Sequence, residues 1–262
     1  MYRFLTTLTV IAVFLSGCTT SPTGRQQVLL MPAAQLDQMG AEAYNQMKQE
    51  LPVSQDARKV RYVQCITDAL TAQVDSQYEW EVTLFDDDSA NAFALPGGKM
   101  GVHTGLLNVA ENQHQLSAVI GHEIAHVLAQ HANERMSIQY ATRSSMDLLG
   151  AIVGQDTATK QTIFGVLGVG SQFGIAMPFS RRHEAEADIM GLEIMARAGF
   201  DPNESVTLWQ NMSRASGGSP PEFLSTHPSH STRINGLRAN IPRVMPDYER
   251  AVSSGRTPDC RV

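Results

Sequence analysis

The sequence predicts an α+β fold, mostly helical with a small sheet, and three observations lead there. Leu116, Val119, Ile120, Ile124, Val127 and Leu128 recur at spacings of three and four, the period of a helix with a buried face. Leu36, Met39, Ala43 and Met47, and then Val60, Val63, Ile66, Leu70 and Val74, keep the same step. Tyr78 to Phe85 (YEWEVTLF) instead alternates polar and apolar residues, as a strand does. With 262 residues, 42% of them hydrophobic, the chain is long enough for one globular core. A net charge of −6 and a pI of about 5.7 argue against nucleic acid as a partner.

In chain order, residues 1–17 predict a signal peptide: Arg3 supplies a short positive region and Phe4 to Leu15 an apolar one. The apolar run is too short to span a bilayer comfortably. Leu15-Ser16-Gly17-Cys18 resembles a bacterial lipobox, which implies cleavage before Cys18 and a lipid on that cysteine. Thr19 is not the aspartate associated with inner-membrane retention. The expected location is therefore the cell envelope of a Gram-negative cell, at the outer membrane and facing the periplasm. Residues 18–32, with Pro22 and Gly24, read as a lipidated start and linker, and residues 33–262 as a single domain. Cys65 and Cys260 then remain in an oxidising compartment, where they are expected to form one disulfide.

Ala33 to Glu50 and Gln55 to Val74 read as two helices divided by Pro52, forming a scaffold over the central helix. After the Tyr78–Phe85 strand, Asp86 to Asp88 reads as a solvated loop rather than a calcium site. Between Asn91 and Leu107, two strand-like pieces flank the turn Pro96-Gly97-Gly98. One of them is expected to be an exposed edge to which an extended peptide could add through backbone hydrogen bonds. His103 reads as a strand histidine without a metal role.

The central stretch is Ala118 to His131, AVIGHEIAHVLAQH, which contains His122-Glu123-Ile124-Ala125-His126. Residues four apart on a helix lie about 40° apart on one face. His122 and His126 can therefore converge on one ion, and neutral imidazole is a good zinc ligand. Glu123, at the edge of that face, is spaced to act as general base on a water at the metal. His131, counted along the same helix, falls about 140° from His126 and is excluded as a ligand. His114, His183 and His230 have no better claim.

Ser137 to Leu149 looks helical, and the glycine-rich stretch from 150 to 179 fits a flap, a membrane-apposed segment or close-packed helices. Ser180 to Ala198 (SRRHEAEADIMGLEIMARA) predicts another helix. A carboxylate from that helix would complete a His-His-Glu site, and Glu184 is the candidate, with Glu186 and Glu193 as competitors. Glu186 falls about 200° round the helix from Glu184, so both cannot face the metal. Asp188, one turn on from Glu184, can accept the free ring N–H of a ligand histidine and fix its tautomer. Gly199, Asp201 and Pro202 read as a helix stop followed by an N-cap and first residue. Ser225-Thr-His227-Pro-Ser-His230-Ser-Thr-Arg233-Ile enters a last helix, and the tail after Pro242 looks irregular.

Taken in order from Pro22 to Asn240, the chain resembles the HtpX/CAAX-prenyl-protease-like zinc metallopeptidases of the gluzincin group. Among these it is most similar to soluble bacterial lipoprotein and periplasmic members of the BepA type. The stretches that carry this are TGRxQ, NAFALPGG, VIGHEIAHVLAQHANER, FSRRHEAEAD, AGFDP and THPSHSTRI. The resemblance implies a zincin-like fold and one zinc per chain on His122, His126 and Glu184, with Glu123 as base and Asp188 behind the ligands. It also implies that His227 lies by the metal, filling an open fourth position at rest or donating to an oxyanion. Arg233 reads equally as an oxyanion or substrate-carboxylate contact and as a structural anchor at a helix N-terminus. The implied activity is endopeptidase hydrolysis of misfolded or unassembled envelope polypeptides. The alternative is a lipoprotein chaperone or assembly factor, with envelope assembly partners, whose zinc site is latent or structural.

Overall fold

Helices of three-and-four spacing and one short sheet account for the residues described by the computed structural model: 18–153, 180–215, 223, 227 and 231–262. The signal peptide expected at 1–17, most of the glycine-rich stretch and His230 lie outside them. The stretch expected to be a linker is folded. Strands β1 (Cys18–Thr20) and β2 (Gln26–Val28) form an antiparallel hairpin with Thr19 opposite Gln27. Beyond it the Leu30 N–H donates to Ser137 Oγ at 2.8 Å and Asn133 Nδ2 donates to the Met31 carbonyl at 2.9 Å.

Helix α1 (Ala33–Glu50) follows, then α2 (Ala57–Thr71), whose N-cap Asp56 accepts from the N–H groups of Arg58 and Lys59. Val63, Ile66 and Leu70 form the buried stripe of α2. The sheet holds β3 (Glu81–Phe85), β4 (Ala92–Leu95) and β5 (Lys99–His103) in the order β3-β5-β4. β5 runs parallel to β3 and antiparallel to β4, which leaves β4 at the edge.

Helix α3 (Gln113–Leu128) is capped by Asn112 and buried along nearly its whole length. Gln130 takes a left-handed conformation, φ +52°, and helix α4 (His131–Val153) starts afresh beyond it. His131 is therefore not on the helix that carries His126, contrary to the sequence reading. Helix α5 (Arg181–Arg197), with Ser180 as N-cap, lies across α3. The two helices meet at glycines: a Cβ on Gly191 would stand 3.1 Å from the His122 nitrogen and 3.2 Å from the Gly121 carbonyl carbon. Gly121, the one apparent helix breaker before the first histidine, is thus where α5 approaches.

Helix α6 (Glu204–Ala215) begins two residues later than expected from Pro202. Helix α7 (Ser231–Ser253) corrects a larger expectation, because it runs on through Pro242 and Pro246. Both prolines face solvent, so the carbonyls they deprive of donors can be hydrated. Buried Leu237, Ile241, Val244 and Ala251 on the opposite face hold the helix down. After α7 the tail returns over the α2–α3 end of the core, where Cys260 is joined to Cys65 with Cα atoms 5.8 Å apart. Among the described residues, no helix is long and apolar enough to cross a membrane.

Candidate metal centre

Two helices and one loop residue meet at the centre of the fold. α3 brings His122, Glu123 and His126, α5 brings Glu184 and Asp188, and His227 approaches from before α7, all of them buried. His122 Nε2 stands 3.0 Å from His126 Nε2, 3.3 Å from His227 Nδ1 and 3.4 Å from a Glu184 oxygen. Glu184 Oε1 is 3.5 Å from His126 Nε2 and 3.0 Å from His227 Nδ1. A zinc ion with bonds of about 2.0–2.1 Å separates its four tetrahedral ligands by about 3.3 Å. The pairs measured above lie near that spacing, and one ligand atom from each of His122, His126, Glu184 and His227 lies within 4.8 Å of the others, so the four could hold such an ion.

The hydrogen bonds behind the ligands lead to the same reading. Asp188 Oδ1 sits 3.1 Å from His122 Nδ1, and His131 Nδ1 sits 2.9 Å from His126 Nδ1. With ring protons on those outer nitrogens, both Nε2 lone pairs point inward at each other, a repulsive contact unless a cation lies between them. Burial and Arg233 oppose charge on His122, yet Asp188 and Glu184 outweigh them and raise its pKa to about 9 without a metal. A bound divalent cation takes the place of that proton. Burial pushes His126 well below its usual pKa, towards the neutral ligand form. Burial alone would raise Glu184, but hydrogen bonds from His122, His126 and His227 hold it far down, as a carboxylate.

Glu123 is different. Its carboxyl is buried, and Oε1 has no hydrogen-bond partner among the described residues, the nearest ring nitrogen being His227 Nε2 at 3.5 Å. Burial raises its pKa, which suits a base that must hold a proton transiently.

Arg233 is fully engaged. Its Nε and Nη2 donate to Asp188 at 2.6 and 2.7 Å, and Nη1 donates to Glu184 at 2.7 Å. The guanidinium lies over the Trp209 ring, 3.7 Å from its centroid. Nη2 also lies 3.0 and 3.1 Å from the two ring nitrogens of His122, so the guanidinium bridges Glu184 and Asp188 beside the cage. His103 contacts Ser89 Oγ at 2.7 Å, away from the centre. His114 accepts from the Asp201 N–H, and Glu186 points away from the metal cage, as helical phase requires.

Sequence reasoning missed a second buried polar group behind His126: His131, His183, Glu134 and Glu186, closed by Arg25 from the β1–β2 turn. Arg25 Nε donates to Glu186 at 2.7 Å, and its Nη1 and Nη2 donate to Glu134 at 2.8 and 2.6 Å. His131 Nε2 is 3.2 Å from Glu186, and His183 Nε2 is 3.1 Å from Glu134. The signal available was an arginine in an otherwise uncharged stretch, together with His131 and Glu134 close after the central helix.

The family model "Peptidase family M48" matches residues 57–241, the span containing every cage residue. Among curated proteins the chain is 37% identical over 169 residues to a mitochondrial metalloendopeptidase OMA1 of Schizosaccharomyces pombe, covering 64% of this chain and 48% of that protein. It is 34% identical over 241 residues to the human mitochondrial metalloendopeptidase OMA1, covering 85% of this chain and 45% of that one. It is 29% identical over 217 residues to the beta-barrel assembly-enhancing protease of Escherichia coli, covering 80% and 44%. The chain thus spans about half the length of these curated relatives. With most of its length matched and the cage inside the matched span, the chain belongs to peptidase family M48.

Proposed function

We propose that the chain is a zinc-dependent endopeptidase, with one zinc per chain, whose resting site is closed by its own His227. The observation that carries this is the buried cage of His122, His126, Glu184 and His227, whose ligand atoms all lie within 4.8 Å of one another, beside the buried Glu123 carboxylate. Zinc held there supplies Lewis acidity towards a peptide carbonyl and lowers the pKa of water. The chain's residues do the remaining work. Glu123, made more basic by burial, takes the proton of the attacking water and returns it to the leaving amine. Asp188 and His131 hold the two ligand rings in the tautomer that turns Nε2 inward. β4 offers a sheet edge for an extended polypeptide, and a small pocket lined by Leu36, Leu95, Pro96, His126 and Gln130 lies beside it.

The natural substrates in this reading are misfolded or unassembled polypeptides of a bacterial envelope, reached from the outer membrane through a lipid on Cys18. Support comes from the lipobox-like Leu15–Cys18 and from the beta-barrel assembly-enhancing proteases among the relatives. A second reading, an assembly factor with a latent or structural zinc site, is favoured by one observation. His227 makes a fourth protein ligand where catalytic zinc sites keep an open position.

Zinc analysis and digestion of unfolded casein decide between them. A peptidase cleaves in the wild type, stops on chelation, and loses about 10²–10⁴-fold in turnover as Glu123→Gln with zinc retained. One zinc bound, with no cleavage by wild type or by His227→Ala, overturns the peptidase reading.

A further inference from the structure

Behind the metal cage, the buried group around His131 forms a continuous path from the N-terminal hairpin to His126. His131 is wholly buried, and its two ring nitrogens face different partners: Nδ1 meets His126 Nδ1 at 2.9 Å and Nε2 meets Glu186 Oε2 at 3.2 Å. The tautomers along this path are mutually determined. His126 must carry its proton on Nδ1 if Nε2 is to bind an ion, so His131 must accept at Nδ1 and carry its own proton on Nε2. That proton needs an acceptor, and the Glu186 carboxylate provides it.

Glu186 is fixed from the other side of the chain. Arg25 Nε donates to the same Oε2 at 2.7 Å, while the hydroxyls of Ser21 and Thr23 donate to Oε1. Arg25 is itself aimed by a two-point contact with Glu134. His183, which contacts Glu134, stacks on the His131 ring with centroids 4.5 Å apart and planes 21° apart, leaving that ring little freedom to turn. The left-handed turn at Gln130 interrupts the helix before His131, whose ring meets that of His126.

We propose that Arg25 is a positioning residue for the metal centre, acting through Glu186 and His131 on the ligand His126. Docking of the Ser21–Arg25 turn sets the Glu186 carboxylate, Glu186 orients His131, and His131 presents the lone pair that holds the His126 ring. The hairpin nearest the expected anchor point thereby tunes how tightly the site holds its metal.

The inference rests on His126 being a zinc ligand, and a double-mutant cycle on the whole chain tests it. Zinc affinity per folded molecule is measured by competition with a chromogenic chelator for wild type, Arg25→Gln, His131→Phe and the pair, alongside melting of the zinc-free proteins. Each single change is expected to weaken zinc binding by about 10–100-fold, the range for loss of a ligand's supporting partner. The pair should be no weaker than His131→Phe alone, because Arg25 acts through His131. If His131→Phe does not fold, Glu186→Gln takes its place in the cycle. Nitrogen-15 spectra of the zinc-loaded wild type should put the His131 proton on Nε2. Additive losses, a His131 proton on Nδ1, or lowered melting with unchanged zinc affinity each overturn the proposal. A wild-type chain that binds no zinc ends this proposal and the peptidase reading together. Tight zinc binding that no variant alters ends this one alone.

Discussion

In the proposed peptidase, His227 stands where a reacting water or carbonyl would have to be. Its Nδ1 is within 3.3 Å of both His122 and Glu184, and its ring stacks on Phe223 with centroids 4.4 Å apart. If the chain is the proposed peptidase, substrate has to displace it, and apparent activity falls to the fraction of molecules in which His227 has moved aside. A minor state populated to 10% or less predicts that His227→Ala raises casein cleavage by about tenfold or more. A fall of about 10²-fold would instead assign the ring to the oxyanion, and unchanged cleavage would remove it from the mechanism. At this scale the placement of His122 and His126 on one helix face was readable from spacing, whereas Glu184 was one of three candidate carboxylates until the family resemblance singled it out. The sequence was not readable at His131, because the 140° argument assumed a helix continuous through Gln130, and glutamine carries no sign of a left-handed turn. Arg25 was hidden for another reason: its partners Glu134 and Glu186 lie 109 and 161 residues away.

Between elements, the decisive contact is the crossing of α3 and α5. Glu184 can reach the two histidines because Gly121 and Gly191 let the helix backbones touch; any side chain at 191 presses on backbone, which cannot rotate away. Gly191→Val is expected to cost about 1–3 kcal/mol in stability through overpacking and, by separating the ligands, to weaken zinc binding as well. Stoichiometric zinc uptake with wild-type affinity in that variant would show that the crossing does not set the cage. Most elements were legible from periodicity: α1 has the expected bounds, and α2, α3 and α5 differ by a few residues at their ends. The long α7 was not. Its two prolines read as a stop, and only the buried stripe on the far side, packed against α5, outweighs them.

Across the whole molecule, both ends of the described chain are fastened to the core: the hairpin through Arg25 and the tail through Cys260. The tail also donates its Cys260 N–H to Gln113 Oε1 at 2.8 Å and accepts from Gln113 Nε2 at the Pro258 carbonyl at 2.8 Å, against the start of α3. Losing the cross-link in Cys65→Ser is expected to lower unfolding free energy by about 2–4 kcal/mol, measured by denaturant titration, with the zinc cage unaltered. The folding of residues 18–32 onto α4 was not legible, since a short stretch rich in Ser, Thr, Pro and Gly carries no apolar period. The cross-link has one further effect, on breakage. Every metal ligand, with Glu123, Asp188 and Arg233, lies between Cys65 and Cys260, whose separation is 195 residues. A single nick anywhere in that span, including one made by another copy of the enzyme, leaves two pieces still covalently joined. If the proposed peptidase cuts its own chain once within that span, the two products would separate only after the disulfide is reduced.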